Sequence, residues 1–176
     1  DDSGLVLEFP GVAYDEAVVC LKWNLVDRFG PVRPPLSAFK SFVSSWGLES
    51  LAQLSTIHRN DFGLILASES DFVHAWCKIP WLMGCYRFNL SRWSMEVHRG
   101  KESSLAAMWI SLPGLLLPFQ NGALLKALGD SLGSFLCVDY NTRCGVDDSV
   151  ARICVELDLS LPLLHKISLK VGESLS

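Results

Sequence analysis

What this chain lacks narrows it first. Charged residues make up only 19% of its 176 positions, with 15 Lys and Arg against 19 Asp and Glu, for a net charge of −4. No global basic field advertises a polyanionic partner, so a nucleic-acid site has to rest on a local patch. No apolar run approaches 18 residues, so no spanning helix and no membrane partner are expected. The N-terminal DDSGLVLEFPG is acidic and lacks a basic n-region, unlike a secretory or transit peptide. There is no Walker A, no G-x-G-x-x-G after a strand and no H-E-x-x-H.

Cysteine is present without a ligand pattern. Cys20, Cys77, Cys85, Cys137, Cys144 and Cys154 contain no C-x-x-C pair, and His58, His74, His98 and His165 fall at no finger-like spacing. Most of the cysteines sit in apolar runs, where a thiol serves as a small hydrophobe. No metal and no other cofactor is expected, and reduced cysteines point to an intracellular protein, for which the nucleus is expected over the cytoplasm.

What is there is apolar: 49% of the residues are hydrophobic, enough for one large core or two small ones. Residues 1–16 read as an acidic leader. Ala17–Val26 alternates Val19, Leu21, Trp23 and Leu25 against Cys20, Lys22 and Asn24, the period of a half-buried strand. After the loop DRFGPVRPP, Leu36, Phe39, Val43 and Trp46 form one helical stripe, with Gly47 as its stop. LAQLSTIHR and FGLILAS predict two strands joined around Asn60 and Asp61. Ser70 can cap a helix through DFVHAWCKI, which Pro80 ends, and Tyr86–Trp93 predicts another strand. The order β-α-β-β-α-β over 17–93 is the split βαβ of ferredoxin-like and RRM domains.

SMEVHRGKESS, spanning 94–104, reads as a polar linker. A second, shorter α+β lobe over 105–172 begins a similar order, ahead of a tail at 173–176. AAMWISLPG is a strand, Asn121 caps a helix in which Leu124, Leu125, Leu128 and Leu132 share a face, and SFLCVDYN, VARICVELDL and HKISLKVG are strands. In VARICVELD, Ala151, Ile153, Val155 and Leu157 alternate with Arg152, Cys154, Glu156 and Asp158, which predicts a solvated outer face of mixed sign.

One tetrad tests the enzyme class. Gly129–Leu132 spells GDSL, the signature of a serine esterase family. Such a serine sits on a turn after an apolar strand, with its hydroxyl exposed. Here the preceding NGALLKAL has helical period, so Ser131 falls in a last helical turn, with Gly133 as a left-handed stop. The downstream His165 lies seven positions after Asp158, not in a D-x-x-H spacing. No catalytic residue is assigned, and a non-enzyme is expected.

The stretch MWISLPGLLLPFQNGALLKALGDSLGSFLCVDYNTR, with ARICVELDLSLPL after it, resembles the plant domain-of-unknown-function family 4283. The resemblance rests on Trp109, Leu112–Leu115, the helix at 122–133, Val138, Asp139 and Ala151–Leu159. SSWGL, Phe62-Gly63, PWLM and SRW fit the first half more loosely. It implies an RRM-like, retrotransposon-derived nucleic-acid binder, of the kind found in plant LINE-type first-frame proteins and related host proteins. A CCHC zinc knuckle often follows such domains, and the resemblance implies that it would lie past VGESLS, taking the metal with it.

An RRM reads bases with aromatics on its third strand. In the matching NDFGLILA, Phe62 is present but Leu64 and Ala67 replace two other aromatics, and the strand is apolar on both faces. Such a strand is covered on both sides, which predicts that the open face of the first lobe is buried by the second half or by a partner. The remaining patch is Arg87, Arg92, Trp93, Arg99 and Lys101, with His98 among them. Lys22, Arg59 and Phe62 join it through the RRM alignment. Weak binding of RNA or single-stranded DNA is the leading expectation. The alternative is a protein-interaction or self-association module using Leu115, Leu116, Leu117 and Phe119, because three leucines between two prolines cannot all face one core.

Overall fold

The computed structural model describes residues 8, 10–78, 82–144, 150–164 and 166–169. The chain divides after Ser103 into two units, each a mixture of helices and antiparallel sheet. Among the described residues, no helix is long and apolar enough to cross a membrane.

The first unit opens with α1 (Gly11–Cys20), none of whose residues is buried. Then come β1 (Asn24–Phe29), α2 (Leu36–Ser44), β2 (Gln53–His58), β3 (Asp61–Ile65), α3 (Glu69–Trp76), β4 (Leu82–Met83), β5 (Tyr86–Arg92) and the single turn α4 (Met95–His98). The strand expected from Ala17 is thus a helix end followed by a later strand. Its partners set the start: β3 ends at Ile65, opposite Asn24, and β5 ends at Arg92, opposite Leu25. Before Asn24 there is no ladder to join, and Leu21 and Lys22 close turns on the carbonyls of Val18 and Val19 instead.

The sheet order is β2-β3-β1-β5-β4, with every neighbouring pair antiparallel. Register places Leu25, Asp27, Phe29, Phe62, Leu64, Phe88 and Leu90 on one face. That face is the core. Phe39 of α2 stacks on Phe62 at 5.3 Å, and Phe29 meets both rings edge-on at 5.2 and 5.6 Å. Each such buried aromatic contributes roughly 1.5–3 kcal/mol of transfer free energy. Phe39, Val43 and Trp46 of the expected stripe are buried, whereas Leu36 at the helix start is exposed. Gly47 has φ +76°, the left-handed value that a side chain would strain. Ser68, not Ser70, caps α3. Its backbone is extended and its Oγ accepts from the Asp71 N–H at 3.1 Å, while Ser70 is already helical. Pro80 lies outside the described residues.

The second unit comprises β6 (Leu105–Pro113), a 3₁₀ turn at Leu117–Gln120, α5 (Gly122–Leu132), β7 (Ser134–Val138), α6 (Tyr140–Cys144) and β8 (Val150–Asp158), with sheet order β6-β8-β7. The Asn121 side chain caps α5, accepting from the Ala123 N–H at 2.9 Å. Leu125 is the buried anchor, set against Ile153 and Val155, with Leu132, Phe135 and Leu157 packed around them. Leu124 faces water.

Two expectations fail in β8. Cys154 and Glu156, read as solvated, are buried. β8 is the central strand, and Cys154 lies between Trp109 of β6 and Cys137 of β7 in register, so both its edges are flanked rather than open to water. A further strand expected in HKISLKVG is absent from residues 166–169. His165 and residues 170–172 lie outside the described residues.

The GDSL tetrad is a helix end. Gly129 is buried beneath Phe135, whose Cδ2 would lie 2.6 Å from an added Cβ. The Asp130 carboxylate accepts from Lys126 Nζ and from the Phe135 N–H, and these bonds, Lys126 first, hold it below the usual carboxylate range. The Ser131 hydroxyl donates to the Leu128 carbonyl at 2.6 Å. Gly133 is extended, not left-handed (φ −179°). What requires glycine there is close approach: a Cβ would overlap the backbone oxygen of Glu156.

Candidate nucleic-acid interface

Strand register sorts the expected residues by position. On the sheet face away from α2 and α3 stand Asn24, Val26 and Arg28 of β1, Asp61, Gly63 and Ile65 of β3, and Arg87, Asn89 and Ser91 of β5. None of these is aromatic. Phe62 points the other way and is 0% exposed in the aromatic core, so it is not available to stack on a base. Its strand carries one ring, and the helices claim it.

The supposed linker covers the part of this face around Val26 and Arg28, while Ile65, Arg87 and Asn89 remain exposed. Trp93, half-buried, donates its backbone N–H to the Asn24 carbonyl at 2.9 Å, and the chain then turns back through α4, capped by Ser94. Val97 is buried, and so is Val26 (1% exposed) on the sheet face beneath the strap. The Arg28 side chain ties the segment down. Its Nε and Nη2 donate to the Asp61 carboxylate at 3.3–3.4 Å, Nη2 also to the Val97 carbonyl, and Nη1 to the carbonyls of Gly100 and Lys101, each at 3.3 Å. His58 Nε2 meets the His98 carbonyl at 2.5 Å. The two-sided apolarity of NDFGLILA predicts cover over Gly63, Ile65 and Ala67, but only Gly63 is buried, and Ile65 and Ala67 are exposed. Within the first unit, what covers part of this face is residues 94–101, which the sequence alone presents as linker.

The strap thereby gathers cations at one end of the sheet. Arg59 sits in the β2–β3 turn beside Asp61, and Arg87 lies at the start of β5, where its carbonyl accepts from the Gly30 N–H. Arg99 and Lys101 are brought to the same end through Arg28. All four are exposed, and Lys101 also meets the exposed Glu96 at 3.3 Å. With neighbouring strands about 4.8 Å apart, the group spans roughly 10–15 Å. Arg92, Trp93 and Lys22 belong to the opposite end. Arg92 lies over the Phe72 ring at 5.0 Å and Lys22 over Trp23 at 4.5 Å. Sequence reasoning placed Arg92 and Arg99 in one patch because they are close in the chain, but the fold separates them. It also missed Arg28, which stands beside Asp27 in β1 and carries no local signal of its role.

In the second unit, Leu116 and Leu117 are 67% and 73% exposed, while Leu115 and Phe119 are half-buried. Leu115 packs on the α5 core, and its carbonyl accepts from Gln120 at 3.1 Å. A groove of about 580 Å³ runs past Ile110, Leu112, Leu115, Leu128, Ile167 and Leu169. Its lining is mainly aliphatic, with Ser111 and Lys166 as polar members.

Comparison with protein-family models, with curated proteins and with solved structures finds no match to the chain.

Proposed function

We propose that the first unit is an RRM-like module that binds single-stranded nucleic acid, RNA in the first instance, through phosphates and without base stacking on its sheet. The single observation that supports this reading is the convergence of Arg59, Arg87, Arg99 and Lys101, from three separate segments, at one end of the sheet. The β-α-β-β-α-β order with β1 between β3 and β5 supports kinship with RRM domains, and kinship with the plant family named above rests on its sequence motifs alone. A surface of cations without aromatics favours weak, sequence-tolerant, strongly salt-dependent binding, since phosphate contacts position a ligand and base contacts specify it. No catalytic role is proposed.

Titration of a fluorescent single-stranded RNA at several salt concentrations tests the reading. The expected slope of log K against log salt is about −2 to −3, from three to four contacts at roughly 0.7 each. Absence of binding at low salt by the folded protein would remove it.

A second reading has its own support. The exposed Leu116 and Leu117 beside an aliphatic groove favour a protein partner or self-association through the second unit. Concentration-dependent sedimentation that a charged residue at 116 abolishes would establish it.

A further inference from the structure

We propose that Arg28 is a positioning residue for the phosphate site: it fastens the strap Ser94–Lys101 to the sheet and so sets Arg99 and Lys101 beside Arg59 and Arg87, without touching the ligand itself. The proposal rests on the phosphate-binding reading above.

The donor geometry carries it. A guanidinium has five N–H groups in a planar fork and no acceptor. In Arg28 each nitrogen is committed: Nε to the Asp61 carboxylate, Nη2 to that carboxylate and the Val97 carbonyl, Nη1 to the carbonyls of Gly100 and Lys101. No direction is left for a phosphate oxygen. The side chain is 27% exposed and its partner carboxylate 8% exposed, so the pair is largely withdrawn from water. The three carbonyls come from the end of α4 and the two residues that flank and include the cations concerned. Arg99 lies between two of the residues so held, and Lys101 is one of them. A lysine at position 28 would retain the charge. Its single ammonium, with three donors on a flexible stem, cannot span a carboxylate and three carbonyls. The Asp61 contact also joins the strap to the β2–β3 turn that bears Arg59, so one side chain links three of the four cation-bearing positions.

Two measurements test the proposal, one of them without nucleic acid. Tryptic cleavage after Arg99 and Lys101 in the native protein should accelerate about tenfold or more in Arg28→Lys, because local opening exposes those bonds. Arg28→Met with Asp61→Asn removes both charges together. It should release the strap equally while leaving no buried carboxylate unpaired, which guards against a variant that simply fails to fold. Cleavage unchanged in both variants would overturn the proposal and leave the phosphate reading standing. The second measurement is a double-mutant cycle on binding of a fluorescent single-stranded RNA. Arg28→Lys should weaken binding several-fold in the native background and have no effect in Arg59→Gln/Arg99→Gln/Lys101→Gln, where every cation it positions is gone. An effect that persists in that background would mean Arg28 touches phosphate, and would overturn positioning. Failure of the native protein to bind RNA at all would sink the phosphate reading and this proposal with it.

Discussion

Asp27 lies opposite Phe62 in the β1–β3 register, and both side chains are 0% exposed. Among the described residues, neither carboxylate oxygen of Asp27 has a hydrogen-bond partner, and burial drives its pKa well above the usual carboxylate range. Arg33 stands over the Phe62 ring at 4.8 Å, yet desolvation governs Asp27. An acid whose folded pKa exceeds its unfolded value of about 3.9 favours the fold below that value and loses the contribution as pH rises through the folded pKa. Asp27→Asn should therefore stabilise the first unit at pH 7, with a rise in Tm of about 4 °C or more, the shift that roughly 1 kcal/mol produces in a domain of this size. The gain should shrink toward zero below pH 4. Thermal melts at pH 3.5 and 7 decide it, and an equal effect at both would show that folding does not raise the pKa of Asp27.

Charge reversal separates the two ends of the sheet. Arg59→Glu and Arg99→Glu should each weaken binding to single-stranded RNA and lower the salt slope by about 0.7. Arg92→Glu, at the other end and over the Phe72 ring, should leave the slope unchanged. Equal losses from Arg92 and Arg99 would restore the patch as the sequence alone describes it.

For the second unit, Leu117→Asp should leave stability within about 0.5 kcal/mol, since the residue is mostly exposed. If this unit associates with protein, that change should abolish association. Sedimentation velocity across a concentration series supplies the comparison.

Gly133→Ala should destabilise the second unit by about 1–3 kcal/mol, the usual range for overpacking. The obstacle is the rigid backbone oxygen of Glu156 rather than a flexible side chain. Ser131→Ala, which removes only a hydroxyl bonded to Leu128 within its own helix, is expected to be nearly silent. Urea denaturation of both variants by circular dichroism gives the contrast.

The sequence was most readable where local chemistry and tertiary demand agree. The stripe Phe39–Val43–Trp46 and the Asn121 cap are specified within a few residues, and both are found as expected. Ladder ends are different. Asn24 begins β1 because Ile65 and Arg92 end their own strands there, which no window around Asn24 contains. The strap was hidden for a related reason. Its residues are polar and carry a single buried apolar anchor, Val97, and what pins them is an arginine 66 to 73 positions earlier. Residues 94–101 therefore read as linker until the side chain of Arg28 is in place.

The distribution of tryptophan has an optical consequence. Five of the six lie before residue 104, and Trp46 and Trp76 are in the core of the first unit. Trp109 alone represents the second, on a strand face where the Arg152 guanidinium lies 5.5 Å from its ring. Intrinsic emission during unfolding will therefore follow the first unit and scarcely register the second. A midpoint from fluorescence need not coincide with one from circular dichroism, and disagreement between the two probes is the expected sign of two separate transitions.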